Sequence, residues 1–133
     1  MPEGPASERL VFVYGTLRQG ECNDIARYRP AAAWVGMGTT GGVLYDLGPY
    51  PGATFGEAGR ILGEVYRVAP AVEAQLDALE GVQPDGEGEY RKREVLVQMG
   101  LQRLLCLAYE IHPARLEGAA VMAAGDWLLR ARG

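Results

Sequence analysis

Two places in this 133-residue chain set reactive residue types at a spacing that could do chemistry. The first is Tyr14-Gly15-Thr16-Leu17-Arg18, where a run of strand formers ends in a glycine turn. Consecutive N–H groups in such a turn can point one way and form a nest for a carboxylate or an oxyanion, and Arg18 would add a positive charge. Gly15 and Gly20 have the spacing of a phosphate loop, but Glu21 and Cys22 stand where that loop needs Lys and Ser or Thr, so a nucleoside triphosphate site is excluded. A plain turn after a strand uses the same glycines, and residue types alone leave both readings open. The second place is Glu80, just before Gly81 at the expected end of a helix. A carboxylate there faces the negative end of the helix dipole. With Leu79 beside it on the expected buried face, both effects favour the protonated form and suit proton transfer near neutral pH. Asp77, one turn earlier, is the competing carboxylate, and pattern alone does not separate the two.

The scarce residue types remove most other chemistry. Ser7 is the only serine, His112 the only histidine and Asn23 the only asparagine. A Ser-His-Asp triad would have to use Ser7, in a segment expected to be flexible. Cys22, Cys106 and His112 are too few and too scattered for a zinc site, so no metal is expected, and no cofactor. Cys22 and His112 can be drawn as a nucleophile and base, though nothing local activates the cysteine. Tyr14, Tyr45, Tyr50, Tyr66, Tyr90 and Tyr109 lie on or beside expected strands, where packing accounts for most of them. Tyr90 and Tyr109 fall on neighbouring strands and could share a cavity.

The elements that must position these groups follow from composition and period. Hydrophobic residues make up 48% and charged residues 23%, ordinary for one globular domain over residues 1–133, with 1–8 expected to be flexible. Net charge is −4, and the basic run Arg91-Lys92-Arg93 reads as a solvated strand face. No nucleic-acid partner is therefore expected. The N-terminus has no signal-peptide pattern and no apolar run reaches membrane length, so the expected compartment is the cytoplasm, with reduced cysteines. Residues 9–14 read as a strand, Asp24 as the cap of a short helix, 31–48 as bent strands, 48–59 as a turn-rich loop and 60–68 as a strand. Residues 70–80 predict the main helix, with Pro70 in its first turn, Val72, Leu76 and Leu79 on one face, and Gly81 as C-terminal cap. Residues 82–89 form an acidic loop, and two alternating runs around Gly100 predict a hairpin. "AGDWLLR" suggests one helical turn. About six strands with one good helix and no strict βαβ alternation give an α+β fold, a curved or barrel-like sheet with the helix at its side.

In their order along the chain, "VFVYGTLRQG" with Asn23, "GRILGEVYRV", "LDALEG" with "GEYRKREVLV", and "GDWL" resemble the gamma-glutamylcyclotransferase-like superfamily. The "YGTL" form is closest to the branch holding gamma-glutamylamine cyclotransferases and bacterial relatives. The resemblance implies a small mixed β-barrel with a cavity, a small gamma-glutamyl substrate and no cofactor. It implies release of 5-oxoproline by attack of the substrate's own amine, with Glu80 as general acid and base and the loop Tyr14–Leu17 holding substrate. A binding module on the same fold, without turnover, is the alternative. Glu21 and Cys22 depart from the Gln-Pro frequent in relatives, and the acidic 82–89 loop bears on which substrates enter.

Overall fold

The computed structural model describes residues 8–129; apart from Glu8, the segment expected to be flexible lies outside them, as does Arg130 of the last helical turn. The elements are β1 (Arg9–Val13), β2 (Ala33–Thr40), β3 (Gly42–Asp46), β4 (Pro51–Phe55), β5 (Ile61–Val68), α1 (Pro70–Leu79), β6 (Tyr90–Met99), β7 (Gln102–Ile111) and β8 (Ala120–Val121). Strands β1-β5-β2-β6-β7 close into a barrel, and β4-β3-β8 form a separate three-stranded sheet. Closure comes from β1 meeting β7 in parallel at Val11↔Leu107; the other barrel pairs are antiparallel. Asp24 does cap a short turn, accepting from the Ala26 N–H, and the bulge between Trp34 and Gly36 in β2 is the irregularity the glycines of 31–48 announce.

Two expectations are corrected. Eight strands appear among the described residues where about six were expected. The extra ones are Ala120–Val121 and, within 48–59, Pro51–Phe55, which pairs along β3 from Gly42↔Phe55 to Asp46↔Pro51. The glycine and proline content that reads as turn has another cause there, because a Cβ at Gly52 would lie 2.8 Å from Ile111 Cβ, so this strand crosses β7 at a distance only glycine allows.

Strand parity sends side chains into two cores. On β1, Val11 and Val13 join one cluster with Val72 and Leu76 of the helix, while Phe12 and Tyr14 join the other with Trp127. On β7, Leu107, Tyr109 and Ile111 take the helix side and Cys106 and Ala108 the opposite one. Strands buried on both faces need no hydrophobic/polar alternation, which explains the unbroken apolar run of β1. Burial also pushes the Cys106 thiol up to about 11, so it behaves as a small hydrophobe.

The helix seats by charge as well as by grease. Val72 and Leu76 are fully buried, and on the same side Glu73 and Asp77, one turn apart, take the two faces of the Lys92 ammonium at 2.6 and 2.9 Å. The basic run stays partly solvated, as expected, but its charges are paired: Arg93 and Arg91 reach Glu110 at 2.5 and 3.8 Å. At the far end Gly81 takes φ +66, and the Gly81 and Val82 N–H groups donate back to Ala78 and Asp77. That is the double closure of a Schellman cap, and it makes Glu80 the capping residue.

Arg18 also departs from expectation. It is 2% exposed, donating from Nε to Glu64 at 2.9 Å and from a terminal nitrogen to Asp126 at 2.8 Å. Glu64 further accepts from the Gln19 N–H and the Tyr66 hydroxyl, both at 2.9 Å. Arg18 thus pins the glycine loop to β5 and to the last turn, and its charge is spent inside the protein. Arg18→Met should lower the unfolding free energy by roughly 3–5 kcal/mol, because Glu64 is left buried without its cation. Urea denaturation checks this, and a loss under about 1 kcal/mol would show that the network holds little.

Candidate active site

The barrel mouth holds a cavity of about 190 Å³. One wall is the loop Tyr14, Gly15, Thr16 and Leu17; Tyr90 and Tyr109 of the hairpin form another; Glu80 and Leu79 arrive from the helix end, and Phe12, Val13, Asn23, Tyr50, Pro51 and Glu89 complete the lining. Of the residues singled out from sequence, the fold gathers seven here and leaves out Arg18. Cys22 and His112 are also outside the lining. Cys22 is exposed, and His112 accepts from the Ala114 N–H and lies 3.3 Å from Glu87.

The loop is shaped by close approach. A Cβ at Gly15 would sit 2.5 Å from Pro51 Cγ, so only glycine lets the turn pack under β4. The carbonyls of Gly15, Thr16 and Leu17 accept from the N–H groups of Arg18, Asn23 and Ile25. Their own N–H groups have no protein acceptor among the described residues. Asn23 holds the turn twice, its backbone N–H donating to the Thr16 carbonyl at 2.9 Å and its carboxamide to the Thr16 hydroxyl at 3.1 Å.

The cavity tyrosines donate their hydroxyl protons to other parts of the protein. Tyr14 donates to the Tyr109 carbonyl at 2.6 Å, Tyr90 to the Pro51 carbonyl at 2.6 Å, and Tyr109 to Asp77 at 2.6 Å. Each is held well above the ordinary tyrosine range, first by burial and then by neighbouring charges, Glu80 among them. Tyr50 donates to the Glu89 carboxylate.

Glu80 stands apart from this satisfied frame. It is partly buried in the cavity wall, and among the described residues its carboxyl has no hydrogen-bond donor and no cation. Burial, followed by the charge on Glu89, pushes it from 4.5 up to about 7. The cause differs from the sequence argument, because Leu79 is 40% exposed; the shelter comes from the aromatic barrel mouth. Asp77, the competing carboxylate, is instead paired to Lys92 and Tyr109.

Phe12, Val13, Asn23, Tyr50, Pro51 and Glu89 are lining residues that sequence reasoning did not choose. Asn23 carried a signal, its fixed distance from the glycine turn. Tyr50, Pro51 and Glu89 reach the cavity through long-range pairing and carried none.

A carboxyl that titrates at 4.5 unfolded and about 7 folded binds its proton more tightly in the folded state. Folding takes up a proton between those values, so this group's contribution falls as pH rises and is fully unfavourable above about pH 7. Glu80→Gln should therefore be more stable than the wild type by roughly 1–3 kcal/mol at about pH 8 and equal to it near pH 4. Thermal unfolding at the two pH values checks this, and an equal difference at both would mean that the carboxyl is solvated.

Residues 11–129 match the family described as Gamma-glutamyl cyclotransferase, AIG2-like. A relative from Vibrio cholerae is 38% identical over 92% of this chain and 98% of its own. The gamma-glutamylcyclotransferase family protein YtfP of Escherichia coli is 33% identical over 90% of this chain and 96% of its own, and its solution structure superposes with a TM-score of 0.60. The crystal structure of an AIG2-like protein from Mus musculus gives a TM-score of 0.66 at 26% identity, covering 82% of each chain. With the barrel, the glycine loop and the helix-end glutamate in the arrangement described above, this chain belongs to the gamma-glutamylcyclotransferase, AIG2-like, family.

Proposed function

We propose that this protein releases 5-oxoproline from a gamma-glutamyl amine or amide by intramolecular aminolysis, with Glu80 as general base and then general acid. The observation that carries this reading is a carboxyl with no hydrogen-bond or ion-pair partner among the described residues, pushed up to about 7, in a cavity lined also by the three loop residues whose N–H groups have no protein acceptor among those residues.

The reaction has two obstacles. The attacking alpha-amine is protonated in water, and an amide nitrogen leaves poorly. Glu80 takes one proton from the ammonium, and the freed nitrogen attacks the gamma-carbonyl carbon to close the five-membered ring. Collapse of the resulting oxyanion breaks the original amide C–N bond as Glu80 returns its proton to the departing nitrogen; the ring nitrogen, which still carries one proton too many, then gives it up through Glu80 to the freed amine, so that neutral lactam and an ammonium leave. A carboxyl near the working pH accepts and donates with little penalty either way. The N–H groups of Gly15, Thr16 and Leu17 hold the substrate carboxylate or the developing oxyanion, where a single such donor is worth ~10²–10³ in rate. The rings of Tyr14, Tyr90 and Tyr109 keep the cavity dry and fold the flexible glutamyl chain toward its attack geometry.

Purified protein incubated with a panel of gamma-glutamyl amides should yield 5-oxoproline by mass spectrometry, with kcat/KM rising through about pH 7 as Glu80 ionises. Glu80→Gln should stay folded and lose at least ~10²–10⁴ of that rate; a normal rate would remove Glu80 from the chemistry. Asp77→Asn should keep turnover, and a folded but inactive Asp77→Asn would move the base to Asp77. Thermal stabilisation by these amides with no product from any of them would favour the binding module.

A further inference from the structure

Two acidic side chains, Glu80 and Glu89, line the cavity at the barrel mouth, and no cationic side chain does. The mechanism uses only Glu80. Glu89 is nevertheless fixed from three sides. The 82–89 loop leaves the helix at Gly81 and returns against it: a Cβ at Gly81 would lie 3.6 Å from Glu89 Cβ, and one at Gly88 would lie 1.9 Å from the Gly81 carbonyl oxygen. Only glycine at position 88 lets the chain come back this close. The Glu89 carbonyl then accepts from the His112 N–H at 2.9 Å, and one carboxyl oxygen, Oε2, accepts from the Tyr50 hydroxyl. The other oxygen, Oε1, has no donor among the described residues. Arg115 lies beside Tyr50 but makes no ion pair with Glu89. After burial, the charge on Glu89 is the next cause that raises Glu80, and it acts on Tyr90 behind burial and Glu80, so its field enters the cavity.

The cavity thus offers free N–H donors from Gly15, Thr16 and Leu17 and one fixed, half-satisfied carboxylate. A glutamyl head group carries a carboxylate and an ammonium on one carbon, so it matches both. Glu80 alone cannot serve the ammonium throughout, because a base that has taken the proton is neutral and no longer holds a cation. We propose that Glu89 is the substrate-binding carboxylate that receives the alpha-ammonium of the glutamyl group and presents it to Glu80. The inference rests on the cyclotransferase reading, which gives the substrate that ammonium. A negative charge beside both partners raises the proton affinity of the amine and of Glu80 alike. Glu89 therefore holds the cation without opposing the transfer between them. Ring closure then removes the positive charge, since the lactam nitrogen of 5-oxoproline is neutral and only the carboxylate remains. Glu89 is left facing an anion with no cation to pair, and this favours release of the product.

The test compares two ligands that differ only in the alpha-ammonium: gamma-glutamyl-n-butylamide and glutaric acid mono-n-butylamide. Both are titrated by calorimetry into Glu80→Gln, which lacks turnover and the charge of the base, and into the double variant Glu80→Gln/Glu89→Gln. Glu80→Gln should bind the amino ligand roughly tenfold more tightly than its des-amino analogue, the worth of one charged hydrogen bond. The double variant should lose most of that preference, which falls to within about threefold. 5-Oxoproline, which has no cation, should bind the double variant at least as tightly as Glu80→Gln, and weaker binding there would overturn the inference. A substitution that merely disturbed the loop would weaken both amides together and leave their ratio unchanged; that result also overturns it, as does the absence of any preference in Glu80→Gln. If the wild type forms no 5-oxoproline from any gamma-glutamyl amide while the binding preference persists and depends on Glu89, the cyclotransferase reading fails and the ammonium site stands. No binding of either amide overturns both.

Discussion

The position of the helix end depends on one ammonium group. α1 has ten residues, no side-chain cap at Ala69 and only Val72 and Leu76 fully buried, and an isolated helix of that length is marginal in water. Lys92, the only lysine in the chain, is gripped by Glu73 and Asp77 and ties two successive turns to β6. Burial alone would lower its pKa, but the two carboxylates outweigh that and raise it, so the charge persists. Tyr109 on β7 binds the other oxygen of Asp77. The helix can then neither slide nor rotate without separating these partners, and its C-cap delivers Glu80 to the barrel mouth.

The treatment of acidic side chains elsewhere makes the isolation of Glu80 meaningful. Among the described residues, the buried carboxylates Glu64, Glu73 and Glu110 all have cations: Arg18, Lys92 and Arg93 respectively. Glu110 further accepts from the Phe55 N–H, joining β7 to β4. These pairs follow the rule that a desolvated charge needs a partner. Glu80 breaks it beside a second carboxylate, Glu89, which adds to its proton affinity. Local rules are most often broken at functional sites, and this exception lies in the wall of the cavity at the barrel mouth.

The sequence carried what is local and lost what is long-range. Glu80 was legible because Pro70, the Val72–Leu76 spacing and Gly81 delimit a helix, and the glycine turn because a strand runs straight into it. The reasons for their surroundings were not. Leu79 looked like the third residue of a buried face, yet the cavity lies where its partner surface would be. Arg18 looked like a free charge in a turn, since Glu64 and Asp126 are 46 and 108 positions away. The run Arg91-Lys92-Arg93 showed no partners because the carboxylates that pair with it belong to other elements. Pro51–Phe55 read as loop because glycine and proline signal turns unless a crossing strand, here β7 at Ile111, explains the missing Cβ.

The hydroxyls of the cavity tyrosines complete the argument about proton affinity. Residue types alone would place Tyr90 and Tyr109 as hydroxyl donors to a ligand. Instead Tyr14 bridges β1 to β7 and reaches the Ala53 N–H, and Tyr90 ties β6 to Pro51. Each phenol thereby uses its polar end to hold two segments together. Hydroxyls committed in this way offer no donated hydrogen bond to a carboxylate in the cavity they line. The bonds that hold these segments together thus also help bury Glu80, whose carboxyl is pushed up to about 7, so the fold and the proton affinity of this carboxyl are linked.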